Sequence, residues 1–222
     1  MLQWLPENIA SFGGQIDSVM YTVYYVVGFW FLLAQGFLFY FVIKNWNTDG
    51  SETDVPYVPA NKWSVMAIVL VPGALVLSCD LAIDFWQQSA WAHIKEHRPK
   101  AETRVKITGQ QFSWKFLHAG SDGELGTEDD ISTRNRLHVP VNSNVVFDLT
   151  SLDVIHSFWV PTLRLKQDAV PGRTIKGWFK ATKTGEYEIA CAELCGVGHG
   201  VMKAKLIVHE QDEYKNWIKE ES

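Results

Sequence analysis

The sequence is short of cysteine and of basic charge. Its 222 residues include only three cysteines, and 20 lysines and arginines face 25 acids, for a net charge of −5. There is no basic stripe with interleaved aromatics, which argues against a nucleic-acid surface. No internal repeat or low-complexity tract is present. The first 17 residues carry no lysine or arginine. The apolar run behind them is too long for the core of a signal peptide, so no cleavable secretory signal is expected.

What is abundant is uninterrupted apolar sequence. From Val19 to Ile43 there is no charged residue. At about 1.5 Å per residue, a helix there more than crosses a hydrocarbon core of roughly 30 Å. A second uncharged run, Trp63 to Cys79, is bracketed by Lys62 and Asp80 and prolonged by "LAIDFW". A buried core helix would explain either run alone. Two membrane spans, about 18–43 and 63–86 with a linker 44–62, explain both, and residues 18–91 then form a transmembrane hairpin behind an N-terminal segment 1–17. Pro72 is tolerable in such a span where neighbours re-satisfy the freed carbonyl. Asp80 and Asp84 share a face one turn apart, at the interface, against a partner subunit or in solvent. Cys79 lies within the second span as inert filler. Basic residues leave the orientation open. Lys44 and Lys62 favour an inside linker, whereas Lys95, Arg98, Lys100 and Arg104 count the other way.

After about residue 100 the pattern changes. "RVKIT", "RLHVP", "NVVFDLT", "TIKGWF", "YEIA" and "KAKLIVH" are short β-branched and aromatic runs separated by Gly, Pro, Asn and Asp. Strands of this length and spacing predict an all-β sandwich or barrel over 100–222, closed by a short helix in "DEYKNWIKE". One loop, "GSDGELGTEDD" (120–130), carries five acids (Asp122, Glu124, Glu128, Asp129 and Asp130) and no base. It reads as a solvated hairpin tip, as a patch for a basic partner or as a calcium loop, although the EF-hand spacing is absent.

The densest chemistry lies in "CAELCGVGHGVM", Cys191 to Met202. Cysteines four apart can form a disulfide. Two thiolates and an imidazole supply three of zinc's four ligands. Soft sulfur ligands with imidazole and a weak thioether suit electron-transfer copper, and Met202 favours that reading because zinc gains little from a thioether. Two cysteines on one loop can each bridge two metals, so a dinuclear copper centre fits the inventory. Each copper then needs an imidazole, and the loop supplies only His199. His156 in "SLDVIHSFWVP" is the candidate second. By itself it would read as a satisfied core histidine, and beside an incomplete copper set it reads as a ligand. His118, His138 and His209 lack such surroundings, and His93 and His97 lie near the anchor.

These motifs carry a resemblance. C-x-E-x-C-x-x-x-H-x-x-M, preceded by D-V-I-H-S-F and K-Q-D-A-V-P-G-R, is similar to subunit II of the haem-copper oxidases, which bears the dinuclear CuA centre; the likeness extends over essentially the whole chain. It implies a two-helix hairpin carrying a cupredoxin-like Greek-key domain outside the membrane. It further implies that Cys191 and Cys195 bridge two coppers and that His156 and His199 bind one each. Met202 and the carbonyl of Glu193 become weak axial ligands, and the Glu193 side chain reaches a magnesium ion at the contact with subunit I. The function implied is electron input to a respiratory oxidoreductase and translocase, from a cytochrome c-type donor to haem in subunit I. The implied location is a bacterial inner membrane, with the β domain on the periplasmic side.

Two positions depart from the family. Its aromatic strip G-x-Q-W-x-W, the electron-input surface, reads "GQQFSWKF" here, so Trp114 matches and Phe112 replaces the first tryptophan. That bears on whether the donor is a soluble or a membrane-bound cytochrome, and core packing is the plain alternative for both rings. Ala60 in "VPANKW" stands where a glutamate at the mouth of a proton path is usual. An input subunit of a haem-copper nitric-oxide reductase is therefore the alternative function. A structural zinc- or disulfide-stapled module and a free-standing copper carrier explain less of the chain. Asp122, Glu124, Glu128, Asp129, Asp130 and Asp153 are the acids expected to steer a basic donor.

Overall fold

A computed structural model of the chain describes residues 5–46, 50 and 57–221. Residues 1–4 of the N-terminal segment and 47–49 and 51–56 of the expected linker lie outside the described residues. The chain forms two compact units. One takes the residues up to Ile16 together with Ala92–Ser222, and the other is Asp17–Trp91. Two long helices, α1 (Gly13–Lys44) and α2 (Trp63–Trp91), account for the apolar runs, and α2 passes through Pro72 unbroken. Both are long and apolar enough to cross a membrane. No residue of α2 and only Gly13 of α1 is buried. Helices so apolar and so uncovered need lipid or partner protein around them.

The other unit is a two-sheet sandwich. Its strands are β1 (Thr103–Gln110), β2 (Ser113–His118), β3 (Ile131–Arg134), β4 (Arg136–Pro140), β5 (Val145–Ser151), β6 (His156–Val160), β7 (Leu165–Ala169), β8 (Ile175–Phe179), β9 (Gly185–Cys191) and β10 (Lys203–His209). One sheet has the order β3-β2-β1-β5-β8 and the other β4-β10-β9-β6-β7. Parallel pairs, β1 with β5 and β4 with β10, interrupt the otherwise antiparallel ladders, as Greek-key crossings require. Asn135 is the corner at which the chain changes sheet. It sits at φ 57°, a left-handed conformation that asparagine tolerates, and its Oδ1 accepts a hydrogen bond from the Trp114 amide at 2.8 Å. Both sheets turn alternate residues inward: Val105, Ile107, Trp114, Phe116, Phe147, Leu149, Phe158 and Leu206 bury completely or nearly so.

Two additions to the sandwich were not visible in its strand pattern. The segment preceding α1 joins it: Ile9 and Phe12 are buried, Ala10 bridges Ala181, and the Thr182 amide donates to the Ile9 carbonyl at 2.7 Å. Lys183 pairs with Glu7 at 2.6 Å, and an Arg164 guanidinium N–H donates to the Pro6 carbonyl. The second is a stack of imidazoles under helix α3 (Gln211–Glu221). His138 lies flat on Trp217, with centroids 4.3 Å apart, and a ring nitrogen of His138 bonds one of His209 at 2.9 Å. His118 meets Trp217 edge-on at 5.1 Å.

Burial, with the neighbouring His138, lowers His118 to about 3. Burial, then His209 and Arg136, lowers His138 to about 4. His209 is lowered by burial against an opposing pull from Glu213. Each ring is therefore neutral in the fold at pH values where the unfolded chain already binds a proton. Stability is complete above the ordinary histidine value of about 6.5 and is lost as pH falls toward 4 and 3. For His118, the most deeply enclosed of the three, the loss is up to about 1.4 kcal/mol per pH unit within its window. Thermal unfolding between pH 7 and pH 4 should show this fall, and His138→Phe, which keeps the stack on Trp217, should flatten it. A pH profile identical in the variant would contradict the assignment.

Candidate metal centre

The centre is built where three strand ends meet. β6 begins at His156, β9 ends at Cys191, and Phe158 pairs with Cys191 across the ladder. β10 runs back beside β9, so that the Cys191 amide donates to the Met202 carbonyl at 3.1 Å. Residues 192–201 are left as a loop closed at its base by that contact and by the Ala192 amide on the Ser157 carbonyl, at 3.0 Å. A single helical turn, His199–Val201, ends the loop and turns His199 back toward the sulfurs.

The donor atoms form a row. His156 Nδ1 lies 3.9 Å from Cys191 Sγ, Cys191 Sγ lies 3.8 Å from Cys195 Sγ, and Cys195 Sγ lies 3.7 Å from His199 Nδ1. Weak donors flank the row, with Met202 Sδ 3.8 Å from Cys195 Sγ and the Glu193 carbonyl 3.2 Å from Cys191 Sγ. Both cysteines are free thiols, which removes the disulfide reading. Sulfurs at this separation can each stand about 2.3 Å from one shared metal. His156, Cys191 and Cys195 have ligand atoms all within 4.8 Å of one another; His199 stands outside that grouping, at the far sulfur. His156 and Met202 are fully buried, Cys191 and Cys195 nearly so. Burial, and then the neighbouring Cys191 thiol, push Cys195 up to about 11, so a metal entering here displaces a proton.

Asp153 and Gln111 support the row. Asp153 Oδ1 accepts from His156 Nε2 at 2.8 Å and from the Val154 amide at 2.7 Å, while Oδ2 accepts from the Gln111 amide at 2.7 Å. The bond to Nε2 fixes the tautomer that leaves Nδ1 facing Cys191. Partial burial alone would raise the Asp153 carboxyl, but the Gln111 amide, the His156 ring and the Val154 amide bring it down to about 2.

The family description "Cytochrome C oxidase subunit II, periplasmic domain" matches residues 111–210. An alternative cytochrome c oxidase subunit 2 of Bradyrhizobium diazoefficiens is 32% identical over 98% of this chain and 83% of its own length. The chain belongs to the cytochrome c oxidase subunit II family. A cytochrome c oxidase subunit 2 of Thermostichus vulcanus is 44% identical over 51% of this chain, but the match spans only 32% of that relative. The crystal structure of the periplasmic domain of subunit II of cytochrome oxidase (CoxB) of Bradyrhizobium japonicum superposes with a TM-score of 0.51. It shares 31% identity over 56% of this chain and 96% of that one. The chain is thus a subunit of a cytochrome c oxidase, an oxidoreductase complex, and its β unit has the cupredoxin-like fold of that family.

Other positions singled out in this subunit II sequence fare differently. Trp114 is not part of the surface: it points inward on β2, is fully buried, and meets His156 edge-on at 5.9 Å and Phe158 at 5.5 Å. Phe112 is half-buried beside the metal loop. Asp153 is exposed, and both of its oxygens also hold the site together. The acids of 120–130 lie beyond His118, at the end of β2 opposite Phe112, on the order of 17 Å along the strand. Their oxygens serve the loop itself: Asp122 accepts from the Glu124 amide, Asp129 from the Asp122 amide and Asp130 from the Gly126 amide, and Glu124 stands 3.8 Å from Arg104. These contacts agree with a hairpin tip. Glu128 and the carboxylate-bearing Glu193 are exposed, and Ala60 is exposed in the turn before α2.

What sequence reasoning missed is the role of Gln111, although it stands at the Q of the strip G-x-Q-W-x-W, and the exposed apolar residues Leu152, Ile155, Leu194, Val197 and Val201. Asp153→Ala should lower metal affinity roughly ten- to a hundredfold, as loss of an outer-shell partner does. Chelator competition with copper measures it, and unchanged affinity would reduce Asp153 to a loop cap.

Proposed function

We propose that this chain is the electron-input subunit of a respiratory terminal oxidase and that its cluster holds a dinuclear CuA centre. The observation that carries this is the order of donors: imidazole, thiolate, thiolate, imidazole, with a thioether at one sulfur and a carbonyl at the other. A single zinc needs four donors around one point, whereas here the two imidazoles serve different sulfurs. Two coppers sharing one unpaired electron through two sulfurs supply a single-electron store whose ligands move little between redox states.

The chain's own contribution is to hold and to seal. Cys191 and Cys195 would hold both metals, His156 and His199 would each bind one, and Met202 and the Glu193 carbonyl would cap weakly. Burial of His156, Met202 and both sulfurs keeps water out. Every donor is committed, so the site passes electrons and performs no bond chemistry. Trp114, packed edge-on against His156, backs the ligand.

The donor is a cytochrome c-type protein that approaches beside Phe112, and the acceptor is haem in subunit I, where oxygen is reduced. The exposed apolar tips at Leu194, Val197 and Val201, with Leu152 and Ile155, offer the surface on which such partners settle. The exposed Glu193 carboxylate would complete a magnesium site at the contact with subunit I. The two helices anchor the subunit in a bacterial inner membrane, with the β unit on the periplasmic face. The relatives are oxidase subunits, and this favours oxygen over nitric oxide as the final acceptor.

Cys195→Ser tests the assignment. Metal analysis should show the copper content of the full-length chain falling from two to one or fewer, with the shared-electron spectrum lost while circular dichroism retains the β signal. A spectrum identical to wild type would contradict the bridging role.

A further inference from the structure

The two halves of the cluster arrive on different parts of the chain, His156 and Cys191 on strands and Cys195 and His199 on the loop, and something must set the distance between them. We propose that Gln111 and Phe112 are positioning residues that clamp the metal loop against the strand-borne half of the site. The inference rests on the copper reading of the same cluster.

The first jaw is a chain of hydrogen bonds. Gln111 Nε2 donates to the Cys195 carbonyl at 2.6 Å, and the Gln111 amide donates to Asp153, which accepts from His156 at 2.8 Å. A continuous path therefore runs from the ring of one expected ligand to the backbone of another. The Cys195 carbonyl can only accept, so the amide orientation of Gln111 follows from its partner.

The second jaw is steric. Gly196 sits at φ +129°, and a Cβ there would stand 2.9 Å from Gln111 Nε2 and 3.1 Å from the Phe112 ring. A Cβ on Gly198 would fall 2.5 Å from the same ring. Phe112 thus lies directly on the loop backbone on either side of Val197. Because His199 follows Gly198, the ring limits how far that imidazole can recede from Cys195. Phe112 is packed from below by the core, which keeps the jaw rigid. Gln111 is exposed, so its side chain contributes little to core stability and can be altered without unfolding the domain.

The test uses the full-length chain in detergent with Gln111→Met, which keeps length and removes the donor, and with Gly198→Ala, which wedges the second jaw. With copper loaded, both variants should keep two coppers per chain while the midpoint potential and the copper hyperfine splitting shift from wild type. Copper affinity should fall roughly tenfold or more. Without metal, amide hydrogen exchange over 192–201 should accelerate, on the order of fivefold for the loss of one hydrogen bond. A merely structural role would lower the melting temperature and leave potential, splitting and loop exchange unchanged, and that result overturns the clamp. If the wild-type chain holds zinc or a single copper, the dinuclear reading fails. The metal-free exchange then decides the clamp: faster exchange in Gln111→Met upholds it and equal exchange overturns it.

Discussion

The antiparallel pairing of β9 with β10 is the constraint from which the site follows. It sets Cys191 and Met202 side by side and forces the ten residues 192–201 to leave and return within one strand spacing. A loop so short and so closed at its base has little freedom. Gly196, in a left-handed conformation, and Gly198, against the Phe112 ring, let it fold tightly enough to bring Cys195 and His199 over the strand ends. β6, paired to the other side of β9, supplies His156 at the matching height. Five donors thus converge because two ladders fix their bases.

The surroundings turn convergence into a defined site. Two buried thiols beside each other disfavour ionisation, which is why Cys195 titrates well above an ordinary thiol. A soft cation relieves that opposition. Asp153 supplies a fixed negative charge behind His156, held low by three donors despite its partial burial. Charge, tautomer and distance are thereby set before any metal arrives, which suits a centre that must change oxidation state without rearranging.

Much of this was legible because it is local. Cys191, Cys195, His199 and Met202 sit in one stretch of twelve residues, and their spacing carries the chemistry without knowledge of the fold. The apolar runs of α1 and α2 and the strand pattern after residue 100 are likewise local signals. What escaped is non-local. Ile9 and Phe12 lie in the N-terminal segment before the first apolar run, yet they complete the sandwich through contacts with residues more than 150 positions away. Asp153 reads as a surface acid until the Gln111 amide and the His156 ring are seen around it. His118, His138 and His209 come from three separate strands, and they meet one another and Trp217 only in the fold. For Trp114 the core-packing alternative is the one the fold bears out, and the alternation of Trp114 and Phe116 along β2 already points both inward.

The central claim is that two sulfurs hold two coppers as one redox unit. The most direct measurement is the electron paramagnetic resonance spectrum of the copper-loaded, detergent-solubilised full chain, taken alongside its copper content. The account predicts two coppers per chain and a hyperfine pattern from one electron spread equally over two nuclei. A pattern from a single copper nucleus, or a silent sample holding one zinc, would contradict it.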